Sequence, residues 1–126
     1  VTDKVWSGYN YYRGNAQSLI QINTDFPIYI SRAIDLASHE GYPGHHVYMT
    51  LIEENLVNNK GWMEFSVYPL FSPLSLIAEG SANYGIDVAF PGAKRINFEK
   101  YSDANRAENS SGPTKGGNYP HTSWQR

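Results

Sequence analysis

The sequence predicts a mainly α-helical chain with one short strand element ahead of the helix that carries its most distinctive motif. Three observations predict it. Between Ile28 and Glu40, the apolar residues Ile30, Ala33, Ile34 and Ala37 recur at helical spacing. A second run places Met49, Ile52 and Leu56 on one face and Glu53 and Glu54 on the other, where they read as a solvated face. Ser72-Pro73 then forms an N-cap and first-turn signal for a third helix, which runs through "LSLIAEGSANYGIDVAF" to Pro91.

The remaining elements follow in order. Residues 1–16 are rich in aromatics, Gly and Asn, and read as loop or irregular ribbon. In "SLIQINT" (residues 18–24), Leu19, Ile20 and Ile22 interleave with Gln21 and Asn23, the signature of a short edge strand. Asp25 is a candidate cap for the first helix, with Pro27 near its start. Gly41, Pro43 and Gly44 interrupt that helix, and "NNKG" (58–61) closes the second. An aromatic connector, "WMEFSVYPLFSP", leads to the third. Residues 102–126 are dominated by Gly, Ser, Asn, Pro and Thr, which bury too little apolar surface to offset the entropy of ordering. The expected organisation is therefore one folded unit over residues 1–101 and a disordered tail over 102–126, with no role for His121 in that tail.

Composition narrows the function classes. Aromatic residues make up 14% of the 126 residues, including ten tyrosines and three tryptophans, which favours a wet groove or interface over a dry aliphatic interior. A net charge of -2 and a pI near 6.1 argue against a nucleic-acid partner, which calls for a basic patch. There is no cysteine, hence no disulfide framework and no thiolate metal site. No apolar run approaches the roughly 18 residues of a membrane span. The first residues show no signal-peptide pattern, and the absence of an initiating Met suggests that the gene product begins upstream. Compartment and oligomeric state are open.

The chemistry is concentrated in "ASHEGYPGHHVYM", residues 37–49. His39-Glu40 opens like the zinc-protease pattern H-E-x-x-H, but Pro43 stands where the next histidine belongs, and histidines return only at His45 and His46. In a regular helix, positions six apart point about 120° from each other, and positions seven apart lie about 10 Å along the axis, so neither pair chelates one ion. Pro43 lacks an N–H and disturbs the preceding turn, while Gly44 tolerates unusual backbone angles. A bulge across Gly41–Gly44 would absorb the two extra residues and carry His45 to the ligand position. A zinc site of this kind takes three ligands, an open position for water and a carboxylate base. The chain supplies them in order: His39, Glu40, then His45 or His46, then Glu79. Asn83, four residues after Glu79 on the same helical face, is placed to hold a ligand histidine by its second ring nitrogen. Tyr84 is a candidate oxyanion donor, though a packed tyrosine is the plainer reading.

"HEGYPGHH" followed by "AEGSANYG" resembles the bacterial proteins grouped as the domain of unknown function 885 (DUF885) family, whose pattern is similar to H-E-[AG]-x-P-G-H-H and a following E-G-x-A-x-Y helix. The resemblance covers roughly Val5 to Lys100, most closely Ile28 to Phe90. It implies a gluzincin-like helical metal-site core, with His39, His45 and Glu79 as zinc ligands and Glu40 as the catalytic base. Alignment of Gly44-His45 with the Gly-His of related peptidases favours His45 over His46, which becomes a group that supports a ligand from behind or faces the substrate. Members of the family are longer, so this chain looks like a fragment carrying the core. The implied activity is that of a zinc metallopeptidase, a hydrolase acting on a peptide substrate with Glu40 as proton acceptor from a zinc-activated water. The alternatives are a non-catalytic binding or structural module that retains the motif, and a zinc-dependent amidase or esterase. The aromatics of "YNYYRG" either line a substrate cleft or form a surface that another part of the protein covers.

Overall fold

The computed structural model describes the backbone of residues 1–110 and the side chains of residues 1–104. Over these residues the chain is mainly α, with one small sheet. Strands β1 (Gly8–Gly14) and β2 (Gln17–Ile22) form an antiparallel hairpin. Four helices follow: α1 (Ile30–Leu36), α2 (His45–Ile52), α3 (Pro73–Ala89) and α4 (Lys94–Ser110). Two of them widen at their C-terminal ends into π-type segments, Ala37–Gly41 after α1 and Glu53–Asn58 after α2. A short 3-10 turn, Met63–Ser66, lies in the aromatic connector.

The expected strand over 18–24 is β2, but the segment read as irregular ribbon is its partner. β1 pairs Gly8 with Ile22, Asn10 with Ile20 and Tyr12 with Ser18. Asn15 and Ala16 close the turn with positive φ, and the register slips between Tyr12 and Gly14. The alternation is polar and aromatic instead of aliphatic. Gly8, Asn10 and Tyr12 face the helices, and Tyr9, Tyr11 and Arg13 occupy the other face. Asn23, the largest fully buried side chain among the described residues, ties the N-terminal segment to the end of β2. Its amide donates to the carbonyls of Lys4 (2.8 Å) and Trp6 (3.1 Å), and its Oδ1 accepts from the Asp25 N–H.

Asp25 does not cap α1. Its carboxylate accepts from the Asp3 N–H at 2.6 Å, and the helix begins five residues later behind Tyr29, with no side-chain cap. The third helix starts as expected: Ser72 Oγ accepts from the Ser75 N–H at 3.3 Å, and Pro73 occupies the first turn. α4 runs through Ser110, so the boundary expected at 101/102 falls inside a helix. Residues 94–110 contain no Gly or Pro, and their polar face needs no burial to stay helical. Residues 111–126 of the expected tail lie outside the described residues. Arg95 fastens α4 to α1, its guanidinium meeting Asp35 at 3.0 Å and Glu99 at 2.9 Å. Among the described residues, no helix is long and apolar enough to cross a membrane.

Candidate metal centre

The site is built on a local failure of α-helical geometry. After Leu36 the helix widens, and the Gly44 N–H reaches back to the Ser38 carbonyl at 2.9 Å, six residues away. That closure turns the chain sharply between His39 and His45. Only glycine fits at position 44, since an added Cβ would lie 1.9 Å from the His39 carbonyl oxygen. α2 then starts at once from His45, with the Tyr48 N–H bonded to the Gly44 carbonyl.

α3 packs across this turn through small residues. Ala78 and Ala82 are buried to within 1% exposure, and Gly85 lies beneath Ser38, where a Cβ would come 3.1 Å from its carbonyl oxygen. Positions 78, 82 and 85 form one helical stripe. Glu79, beside that stripe, is thereby delivered to the two histidines.

The result is a three-residue cluster. His39 Nε2 lies 3.3 Å from Glu79 Oε2, and His45 Nε2 lies 3.2 Å from Glu79 Oε1. The two imidazoles meet edge to face, with ring centroids 4.7 Å apart. One ligand atom from each of His39, His45 and Glu79 falls within 4.8 Å of the others. The donor set suits a borderline metal such as zinc. The two histidines meet different oxygens of the Glu79 carboxylate, each at close to the roughly 3.3 Å that separates two ligands of a tetrahedral zinc at about 2.0 Å. Burial pushes the His45 imidazole below its ordinary pKa, with His39 adding to the fall and Glu79 opposing it. That direction favours the neutral imidazole, the form that binds metal.

Glu40 follows His39 into the interior and is buried. Burial raises its pKa above the ordinary carboxylate range. His39, Arg32 and the Asn10 backbone pull it down, and Glu79 pushes it further up. A carboxyl held up in this way, next to a metal-type cluster, is suited to accepting and returning a proton. Gly8 of β1 passes directly over it, where a Cβ would sit 3.0 Å from Glu40 Oε1. Asn10 Nδ2 donates to the Glu40 carbonyl at 2.5 Å. Gly8 and Asn10 were not among the sequence candidates. The signal that would have found them is the two-residue alternation of 8, 10 and 12.

The remaining candidates lie elsewhere. His46 Nδ1 is 2.8 Å from Ser18 Oγ, and its ring stands 6.3 Å from that of Tyr12, so His46 secures the hairpin to α2 and stays out of the cluster. Asn83 is exposed on the wall of a cleft beside His39, with no hydrogen bond to a histidine among the described residues. Tyr84 is 64% exposed and lines neither cleft at the site. Glu53 is not a solvated face residue like Glu54. It accepts from the Tyr12 hydroxyl at 2.5 Å and from the Asn15 N–H at 3.2 Å.

Two clefts meet at the cluster. One, of about 770 Å³, runs along β1 past His39, His45 and Glu79 and is walled by Tyr9, Phe65 and Tyr68. The aromatics of the first strand thus line a cleft. The other, of about 880 Å³, lies on the α1 side and shares Trp6, Gly8, His39 and Glu40 with the first. Comparison with protein-family models, curated proteins and solved structures finds no match for the chain.

Proposed function

We propose that the chain carries the core of a zinc-dependent, gluzincin-like peptide hydrolase of the kind its DUF885-like motif implies. The observation that supports this reading is the convergence of His39, His45 and Glu79 within 4.8 Å, with the buried Glu40 beside them. His39 and His45 would hold the ion through Nε2 and Glu79 through its carboxylate. Bound there, zinc would supply Lewis acidity, polarising a carbonyl and lowering the pKa of water toward about 7. Glu40 takes the proton from the attacking water and returns it to the leaving amine. Its raised pKa makes it a stronger base than an exposed carboxylate and a ready donor afterwards. The aromatic cleft along β1 is where the substrate is held and water is thinned out.

The test is a zinc titration joined to a peptide-library assay with and without chelator. About one zinc per chain and chelator-sensitive cleavage are expected. Glu40→Gln should keep the zinc and lose cleavage by a factor on the order of 100 or more. Full cleavage by Glu40→Gln, or zinc binding that survives His39→Ala with Glu79→Ala, would refute the reading.

A further inference from the structure

The two clefts differ in chemistry. The one along β1 is rich in aromatics and has its arginine, Arg13, at the Gly14 end of the strand, whereas the one on the α1 side has Arg32 in its wall near Trp6 and Ser7. Arg32 projects from α1 and donates from Nη2 to the Ser7 hydroxyl, a neighbour in the same wall. Of the carboxylates in that wall, Asp35 is already taken by Arg95 at 3.0 Å, and Glu40 is buried and feels the Arg32 charge without forming an ion pair with it. Arg32 has no ion-pair partner among the described residues. A guanidinium carries five donors in a planar fork, and one hydroxyl uses only part of it. Its best-matched partner is a carboxylate, bound by two parallel hydrogen bonds.

The direction of a bound chain follows from β1. Among the described residues this strand pairs with β2 on one edge only, and consecutive residues from Gly8 to Gly14 line the cleft that holds the cluster. An extended peptide lying antiparallel to β1, the commoner arrangement, runs from the Gly14 end toward Gly8. Its C-terminal side therefore crosses the cluster and enters the α1-side cleft at Trp6 and Ser7, where Arg32 stands.

We propose that Arg32 is a specificity residue that binds a substrate carboxylate on the leaving-group side of the cluster, either the peptide's C-terminal carboxylate or an acidic side chain. This rests on the peptide-hydrolase reading for its polarity, but the recognition itself needs neither metal nor turnover.

The experiment is a set of NMR titrations on the full chain in chelator, so that no carboxylate can bind metal and no cleavage competes. Three probes are used: acetyl-Phe-Ala-Ala with a free C-terminal carboxylate, the same peptide as its amide, and acetyl-Phe-Ala-Asp amide. At least one acidic probe should bind about tenfold tighter than the neutral amide, with shifts at residues 7 and 32. The better acidic probe identifies the source of the carboxylate. Arg32→Gln should erase the advantage while leaving the amide's affinity unchanged. The exposed position of Arg32 makes a folded variant the expectation, checked by its circular dichroism and melting temperature. Equal affinity for all three probes in the wild-type chain overturns the proposal. An advantage that persists in Arg32→Gln does so too. Loss of zinc binding or of hydrolysis in the separate assay above would count against the hydrolase reading and leave these titrations intact.

Discussion

The chain widens from α-helix to π-type geometry twice, at Ala37–Gly41 and at Glu53–Asn58, and the two segments have opposite surroundings. The first has Ser38 and Glu40 buried, a glycine with no room for a Cβ at its exit, and the small-residue stripe of α3 pressed against it. The second has no buried residue, and its exit glycine, Gly61, has open space around it. At the first, the extra backbone is folded into a tight turn that aims two imidazoles at one carboxylate. At the second, Glu53 stands at its start and accepts from the Tyr12 hydroxyl of the hairpin. A wide turn is therefore not a functional mark by itself. What distinguishes the candidate site is the packing that leaves its irregular backbone one conformation.

Glycine substitutions break the comparison most strongly. Gly44→Ala should cost about 3 kcal/mol or more, because the clash is with backbone that cannot yield. It should abolish zinc binding at the same time, as measured by urea denaturation and by titration. Gly85→Ala comes next, since its Cβ would press on the Ser38 carbonyl at 3.1 Å. A loss of about 1–2 kcal/mol is expected, with weakened metal affinity because α3 carries Glu79. Gly61→Ala, placing a side chain at φ +72 with nothing near it, should cost only about 1 kcal/mol and leave zinc binding alone. Equal losses at positions 44 and 61 would mean that packing does not separate the two segments.

The pH dependence of stability sharpens the comparison with a smaller effect. The Tyr12 hydroxyl, and next the Asn15 N–H, hold the Glu53 carboxyl below its ordinary pKa. A lowered folded-state pKa means the folded chain binds this proton less readily than the unfolded one. The contribution is fully present above the unfolded value of about 4.3 and is lost as pH falls through the lowered value. Glu53→Gln should therefore flatten the acid side of the melting-temperature profile and leave neutral-pH zinc affinity unchanged. An unaltered acid limb would show that the Tyr12–Glu53 bond does not persist in solution.

How much of this the sequence discloses depends on which physical signal each element carries. The cluster of His39, His45 and Glu79 is legible because a metal-ligand pattern is one of residue type and order, and the bulge is legible because Pro43 and Gly44 have few other uses inside a helix. α3 is legible from its cap. β1 is not, because its inward residues are Gly8, Asn10 and Tyr12, which meet Glu40 and Glu53 and show no apolar alternation. α4 is hidden by its polarity, since an exposed helix tied down by Arg95 shows little apolar periodicity. The partner of His46 is likewise unreadable, because Ser18 is 28 residues away and joins it only once the hairpin folds over α2. The candidate cap Asp25 shows the reverse error, a residue of the right type whose carboxylate is taken by a more distant N–H.

The central claim is that the turn through Pro43-Gly44 brings His45, and not His46, to the metal, and the measurement that tests it most directly is an equilibrium zinc titration of three proteins: wild type, His45→Ala and His46→Ala. The wild type should bind one zinc. His45→Ala, reduced to two ligands, should lose more than the roughly 10–100-fold that removal of a supporting partner costs. His46→Ala gives up its bond to Ser18 and should bind zinc within about threefold of wild type, a shift of less than roughly 1 kcal/mol. Abolished binding in His46→Ala with binding retained in His45→Ala, or no zinc on the wild-type chain, would contradict the account.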